Sequence, residues 1–315
     1  MPIANRQPHP PPTAKRHPET TERDRHEVAQ LPRPRRGASA WLHAARIRQW
    51  AKNLLVFAAP AAAGALGRRG VLANVTLTFA VFCLLASGAY LINDARDAPE
   101  DRRHPIKRHR PIASGAVSPR RAAAVGTVAV LLGLGLSLTV GGGLPVVACG
   151  YALLTAAYTT WLRRVAIADI AAIAGMFVLR ALAGGIAAHV AISRWFILVV
   201  SFAALFVAAG KRYADFLDPA ARRSRRVLEQ YTPDFLRLVI GVASAVSLSA
   251  YSLWAFTTGV PLWRELTIIP FTLALLRYGL LVTTGRGGAP ETIIFNDRFM
   301  QLAGVAWLVS FGLGV

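Results

Sequence analysis

The sequence predicts an all-α integral membrane protein, a bundle of nine transmembrane helices with its N-terminus in the cytoplasm. Three observations predict it. Apolar segments of membrane-crossing length recur along the chain, and their interiors hold too few polar side chains to make a face for water. The positive charge also falls almost entirely on alternate connecting loops.

Residues 1–40 read as a separate Pro/Arg-rich tail. Eight of the 19 prolines lie in the first 34 residues, mixed with Arg, Thr and Glu. Such a segment buries too little apolar surface to offset its ordering entropy, so disorder is expected. It is not a signal peptide, because no apolar stretch follows a short basic start.

Residues 41–315 form the membrane domain. Its apolar segments run over about 53–67, 71–92, 122–140, 144–162, 165–188, 195–210, 238–258, 262–283 and 299–315. At about 1.5 Å per residue the longer of them cross roughly 30 Å of hydrocarbon, and the shorter ones cover most of it. The first is short and rich in alanine. A soluble helical core is excluded by segments such as 122–140, whose only polar side chains are Thr127, Ser137 and Thr139. Glycines such as Gly133, Gly135, Gly184 and Gly185 suit close helix contact in lipid.

The chain carries 36 Lys and Arg against 16 Asp and Glu, a net charge of +20, in a sequence that is 54% hydrophobic. Nine spans place 30 of the basic residues on one face of the membrane and 4 on the other, with Arg180 and Arg277 inside spans. The positive-inside rule then makes the first face cytoplasmic. Membrane topology and an anionic lipid surface thus account for the basicity without nucleic acid. The two cysteines, Cys83 and Cys149, lie in apolar runs, which excludes a disulfide scaffold. The sequence leaves homo-oligomerisation open.

The same face also holds 14 of the 16 acidic residues. The densest group is Asn93-Asp94-Ala95-Arg96-Asp97-Ala98-Pro99-Glu100-Asp101. On a helix Asn93, Asp97 and Asp101 share a face, with Asp94 alongside. Carboxylates so close repel unless a cation lies among them, and oxygen-only ligands suit Mg²⁺ bridging to substrate phosphates. The alternative is a solvated loop balanced by Arg96, Arg102 and Arg103. Pro99 invites an early helix end near Asp97, which leaves Asp101 on a loop.

A basic run follows, His104-Pro105-Ile106-Lys107-Arg108-His109-Arg110-Pro111-Ile112, held compact by its prolines. Carboxylates followed by Lys107 and Arg110 suit a polyphosphate, with metal on some oxygens and cations on the rest. A second cluster, Lys211-Arg212-Tyr213-Ala214-Asp215, ends the sixth span, where Lys211 and Asp215 share a face; a charge-balanced helix end reads it equally well. Arg180 sits deep in the fifth span, where an ionisable side chain faces a polar cavity by default. Asp169 lies 11 residues earlier, about 16 Å along one helix, too far for a direct pair. Tyr158 is either substrate-facing or an interfacial aromatic anchor. Phosphate-binding glycine loops, HExxH, Cys/His metal spacings and a Ser-His-Asp set do not occur.

These strings resemble those of the UbiA superfamily of intramembrane prenyltransferases, which are nine-helix bundles. Asn93-Asp94-x-x-Asp97-x-x-x-Asp101 resembles its first aspartate-rich motif. A phosphoribosyl-transferring branch matches in more detail, through Arg48-Gln49-Trp50-x-Lys52-Asn53, Tyr90-Leu91-x-Asn93-Asp94 and His104-Pro105-x-Lys107-Arg108-x-Arg110-Pro111-Ile112. Further matches are Arg180-Ala181-x-Ala183-Gly184-Gly185, Ala209-Gly210-Lys211-Arg212-Tyr213-Ala214, Leu228-Glu229-x-Tyr231-Thr232, Ile269-Pro270-Phe271-Thr272 and Leu276-Arg277-Tyr278. The likeness covers about 45–315. Ile47 stands where a proline is usual, Pro99 interrupts the first motif, and Asp215 replaces a glutamate.

The resemblance implies transfer of 5-phosphoribose from phosphoribosyl pyrophosphate to decaprenyl phosphate or another polyprenyl phosphate, with release of pyrophosphate, toward the arabinose donor of an actinobacterial cell wall. It implies a Mg²⁺ cofactor held by Asp94, Asp97 and Asp101 with Asn93, and catalysis by those three aspartates. Lys107, Arg110, Lys211 and Arg212 would hold phosphates, while Lys52 and Arg180 would meet the lipid phosphate. Asn53, Tyr158, Tyr213 and Asp215 complete the candidate substrate contacts. An aromatic prenyltransferase would carry a second acidic run where this chain has Lys211-Arg212-Tyr213. A transporter or lipid-binding protein would spread polar groups through its spans. The expected location is the inner (plasma) membrane, with the site on the cytoplasmic side.

Overall fold

The structure, a computed structural model, describes residues 37–104, 107–257, 261–285, 293 and 296–314. The expected tail thus lies outside the described residues up to position 36, as do Pro105 and Ile106 of the basic run and Arg286. Regular structure among the described residues is entirely helical. In chain order it comprises α1 (Ala38–Ala44), a 3-10 stretch (Ile47–Phe57), α2 (Ala58–Ala62), α3 (Val71–Asp101), α4 (Pro119–Val140), α5 (Leu144–Thr160) and α6 (Ala168–Ala187). There follow α7 (Arg194–Leu217), α8 (Pro219–Ser224), α9 (Pro233–Thr257), α10 (Pro261–Leu266), α11 (Ile268–Thr283) and α12 (Arg298–Leu313).

Six helical segments are long and apolar enough to cross a membrane: α3, α4, α6, α7, α9 and the stretch Leu262–Thr283. Two shorter apolar helices, α5 and α12, lie among them. Many of the leucines and valines on α4, α5 and α12 are exposed, among them Leu131, Leu138, Leu153, Leu302 and Leu308. Apolar surface turned outward on so many helices suits hydrocarbon and would be a liability in water. This is the architecture of a multi-pass membrane protein.

The first expected span, 53–67, is not a single α-helix. It is the end of an 11-residue 3-10 stretch followed by the five-residue α2. A 3-10 helix rises about 2 Å per residue, so this stretch covers about 22 Å with few residues. Its backbone presses onto α6 at Gly184, where a Cβ would lie 1.7 Å from the Val56 carbonyl oxygen. Trp50 Nε1 ties it to α3 by donating to Ser87 Oγ at 3.0 Å.

The α3 helix has 31 residues, about 46 Å of length, and so stands well clear of a 30 Å hydrocarbon layer. It continues through Pro99 to Asp101, so the early end expected near Asp97 does not occur. Beside it, α4 crosses with Gly88 against Gly126, each glycine's carbonyl oxygen within 2.8 Å of where the other's Cβ would be. Only a residue without a side chain permits that approach.

Of four apolar cores among the described residues, two are large. One joins α3, α5, α6 and the 3-10 stretch through Val56, Phe82, Leu85, Tyr151 and Ala183. The other joins α7, α9, α11 and the 226–231 segment through Phe206, Leu228, Leu236 and Val282.

Candidate active site

The acidic motif divides over two faces of α3. Asp94, Ala98 and Asp101 are buried. Arg110 Nη1 donates to Asp101 Oδ2 at 2.8 Å and to Asp94 Oδ1 at 3.4 Å. Asn93 and Asp97, four residues apart on a more open face, are bridged by Arg96, at 3.1 and 3.3 Å. Arg163 Nη1 reaches Asp97 Oδ2 at 3.3 Å from the α5–α6 connection. The expected convergence of Asn93, Asp97 and Asp101 is therefore replaced by two guanidinium-bridged pairs. Among the described residues no group of three His, Cys, Asp or Glu is placed to hold a metal ion. The helical period explains this: Asp94 and Asp101, seven apart, stay in register, whereas Asp97 falls nearer Asn93.

The donor set still fits magnesium. Asp94, Asp97 and Asn93 offer only oxygen to a cation, and Mg²⁺ commonly takes one or two carboxylates, with water and phosphate oxygens completing its shell. The side chains of Arg46, Arg96, Arg110 and Arg163 supply the compensating charge.

The second cluster points inward. Arg212 is 1% exposed, and four of its five N–H groups are spent. Its Nε and Nη2 donate to the two oxygens of buried Asp169, its Nη1 donates to Asp215 Oδ2 at 2.9 Å, and Nη2 also reaches the Tyr158 hydroxyl at 2.9 Å. Arg212, expected to hold a phosphate, is here bonded to two carboxylates, which leaves one N–H for a further anion. Tyr158 and Asp215, expected to face substrate, are members of this network. Tyr213 is buried in the α7 core, and its hydroxyl accepts from Arg237 Nε at 3.0 Å. Lys211 is different. Half-buried, with Lys52 within electrostatic range, it makes no hydrogen bond or ion pair among the described residues. Lys107 is half-buried in a short 3-10 turn.

Deeper in the bundle, Arg180 is 6% exposed and has no acidic partner among the described residues. Its Nε donates to Asn53 Oδ1 at 2.7 Å, Nη1 to the Met176 carbonyl at 2.8 Å and Nη2 to the Tyr151 hydroxyl at 2.7 Å. Asn53 is fully buried and donates in turn to Cys83 Sγ at 3.2 Å. Each Nη keeps one N–H in hand, so the site presents positive charge and two donors in a low-dielectric setting. Arg180 and Asp169 do not pair, as their helical separation predicts.

Next to this lies a cavity of about 580 Å³, lined almost wholly by apolar side chains. Leu54 and Leu55, following Lys52 and Asn53, form one wall, and Phe177, near Arg180 on α6, forms another. Tyr251 and Trp254 of α9 and Phe311 of α12 also line it. The Phe177 ring, 5.5 Å from the Arg180 guanidinium, stands between that cation and the chamber.

Four contributors escaped sequence reasoning. Arg46 holds Asp94, Arg163 holds Asp97, and Tyr151 holds Arg180. The fourth is a clasp: Gln230 accepts from Ala166 N at 3.1 Å and donates to the Arg164 carbonyl at 3.0 Å, while the Tyr231 hydroxyl accepts from Ile167 N at 2.8 Å. Burial pushes the Tyr231 hydroxyl up to about 12, so it stays neutral at physiological pH. The clasp fixes Ile167 at a φ of 67° and sets Asp169 in the first turn of α6. Tyr231 lies in one of the matched strings, but spacing signals none of these contacts, because each partner is supplied by a distant segment.

An all-helical bundle of membrane-length apolar helices, with carboxylates and guanidiniums clustered at the ends of α3 and α7 and an apolar chamber between helices, defines an intramembrane protein. The chain belongs to the UbiA prenyltransferase family, whose model matches residues 54–302. It is 40% identical to the decaprenyl-phosphate phosphoribosyltransferase of Corynebacterium glutamicum, over 90% of this chain and 88% of that one. It is 39% identical to the enzyme of the same name from Mycolicibacterium smegmatis, over 90% and 94%. The fold is similar to that of a UbiA homologue from Archaeoglobus fulgidus bound to DMAPP and Mg²⁺, with a TM-score of 0.69 at 15% identity over 87% of this chain and 97% of that one. A UbiA homologue from Aeropyrum pernix is similar at a TM-score of 0.61 and 17% identity, over 85% and 97%.

Proposed function

We propose that the protein transfers 5-phosphoribose from phosphoribosyl pyrophosphate to a polyprenyl phosphate, decaprenyl phosphate being the acceptor named for its relatives. The carrying observation is that the buried Arg180 guanidinium, bonded to Asn53, lies 5.5 Å from the ring of Phe177, which itself lines the apolar chamber with Leu54. A lipid phosphate needs just that pair of environments. The likeness to two phosphoribosyltransferases at 39–40% identity supports the reading.

In this reading Asn93, Asp94 and Asp97 hold Mg²⁺, with Asp101 behind them fixing Arg110. The ion would neutralise charge developing on the departing pyrophosphate. Lys107, Lys211 and Arg110 bind the donor's phosphates. Arg180 and Lys52 orient the acceptor phosphate, one of whose oxygens bonds to ribose C1 as the C1–O bond to pyrophosphate breaks and its electron pair leaves with pyrophosphate. The acceptor is already anionic, so no general base is required. Holding both reactants in line provides much of the acceleration. Arg212, Asp169, Asp215 and Tyr158 keep the ends of α6 and α7 in place.

The topology that fits is nine membrane crossings, the N-terminus cytoplasmic and the site on the cytoplasmic side of the plasma membrane. The product would feed arabinan precursor synthesis for a cell wall. An aromatic prenyltransferase is disfavoured because the second motif contributes Lys211 and a sequestered Arg212 where a second acidic metal site would be needed. The test uses purified protein, phosphoribosyl pyrophosphate and polyprenyl phosphate with and without Mg²⁺. Phosphoribosylated lipid and pyrophosphate should form together, only with the metal, and fall by orders of magnitude in Asp94→Asn and Asp97→Asn. Failure to release pyrophosphate, or full activity in both variants, overturns the reading.

A further inference from the structure

Arg46 sits at a peculiar point of the chain. It follows α1, whose Ala40 and Ala44 are buried against Leu91, Ala98, Ile112 and Val117, so α1 docks on the same α3 face that carries Asp94 and Asp101. The backbone at Arg46 is left-handed, φ 54° and ψ 47°, a conformation that costs a non-glycine residue free energy and persists where the surroundings enforce it. The outcome is a clamp. Arg46 Nη2 donates to both oxygens of Asp94 at 2.9 Å, and its guanidinium lies 4.5 Å over the Tyr90 ring.

Asp94 Oδ1 thereby accepts from Arg46 and Arg110 together, and Oδ2 from Arg46. A divalent cation bound to these oxygens at about 2.1 Å would displace those bonds and meet two guanidiniums at close range. Arg46 and the metal therefore compete for one carboxylate. The two arginines are not equivalent in that competition. Arg110 keeps Asp101 at 2.8 Å, whereas Asp94 is the sole acidic partner of Arg46 among the described residues. With about a third of its side chain exposed, Arg46 can turn away.

We propose that Arg46 is the exchangeable counter-cation of Asp94: it neutralises the carboxylate until a divalent cation takes its place, and then turns its guanidinium to the donor's phosphate oxygens. This rests on the Mg²⁺–diphosphate reading of Asp94 and adds a residue that the motifs do not contain. It makes Arg46 a donor-binding residue with effects of opposite sign on two ligands. Removing it should tighten metal binding and weaken donor binding, a pair that loss of structure alone would not produce.

The test titrates Mn²⁺ into the purified full chain without donor, reading unbound Mn²⁺ by electron paramagnetic resonance. Arg46→Gln should bind Mn²⁺ roughly tenfold more tightly, the effect of losing a competing charge-assisted hydrogen bond. Asp94→Asn in that background should abolish the gain. The same variant should bind phosphoribosyl pyrophosphate more weakly in the presence of Mg²⁺. Should Arg46→Gln not fold, Arg46→Lys, which keeps the charge but loses the planar fork, should show a smaller gain of the same sign. Unchanged or weaker Mn²⁺ binding in the folded variant overturns the exchange while leaving the transferase reading intact. No Mn²⁺ binding by any form, with or without donor, overturns the metal reading and the exchange together.

Discussion

Asp169, in the first turn of α6, and Arg212, near the end of α7, form an ion pair with 0% and 1% of their surfaces exposed. The pair joins residues 43 positions apart on two successive helices, and Tyr158 and Asp215 complete its hydrogen bonds. It holds the helix end that presents Lys211, and so connects stability to the site.

Breaking this pair from one side should be costly. Arg212→Gln leaves Asp169 an unmatched buried charge, for which about 3–5 kcal/mol is the usual loss, and Asp169→Asn leaves Arg212 only Asp215, so its loss should be smaller. Thermal unfolding in detergent should show a drop in midpoint for each, the larger for Arg212→Gln. The double variant Asp169→Leu/Arg212→Met should recover much of it. Equal stability of the single variants and the parent would show the pair to be dispensable.

Gly184→Ala is expected to disturb the site from a distance. The new Cβ would overlap the Val56 carbonyl, 1.7 Å away, so the 3-10 stretch must move off α6. Overpacking of this kind typically costs about 1–3 kcal/mol. Because Asn53 rides on that stretch, acceptor KM should rise as stability falls. Parental KM and midpoint would refute the coupling.

Arg180→Gln should reduce kcat/KM for polyprenyl phosphate ten- to hundredfold, since a hydrogen bond to a charged group contributes about 1.5–3 kcal/mol. Donor KM should change little. Arg180→Lys should not restore activity, because an ammonium cannot reach Asn53, Tyr151 and the Met176 carbonyl at once. Recovery by lysine would mean that charge alone suffices.

Acid should loosen the start of α12. Arg277, donating at 2.7 Å, holds the Asp297 carboxyl below its usual range, and the Met300 N–H adds to this as Asp297 caps the helix. A depressed carboxylate stabilises the fold above its unfolded-state pKa, and that contribution is lost as pH falls through the folded value. Protection factors for hydrogen exchange at 298–301, which divide out the intrinsic pH dependence, should therefore fall on acidification in the parent and be low and pH-insensitive in Asp297→Asn.

The long apolar helices were legible because hydropathy acts locally: a run such as 122–140 declares its environment whatever surrounds it. The first span was not, because its 3-10 geometry comes from packing against Gly184 and Trp50's bond to Ser87, contacts more than 30 residues away. The acidic motif was readable as chemistry but not as geometry. Helical spacing brings Asp94 and Asp101 together, while the guanidiniums dividing them from Asp97 come from residues 46, 110 and 163.

The sequence by itself determined that this is a helical membrane chain with carboxylates and cations concentrated in a few motifs, and its strings identified the UbiA relationship. Only the tertiary structure decided which of those charges are available. Arg212 is sequestered by Asp169 and Asp215, whereas among the described residues Lys211 makes no ion pair and Arg180 keeps two donors unspent. Residue type and spacing fix what a side chain can bond to. Which partner it meets depends on helix packing, and in a low-dielectric interior the nearest opposite charge settles the matter.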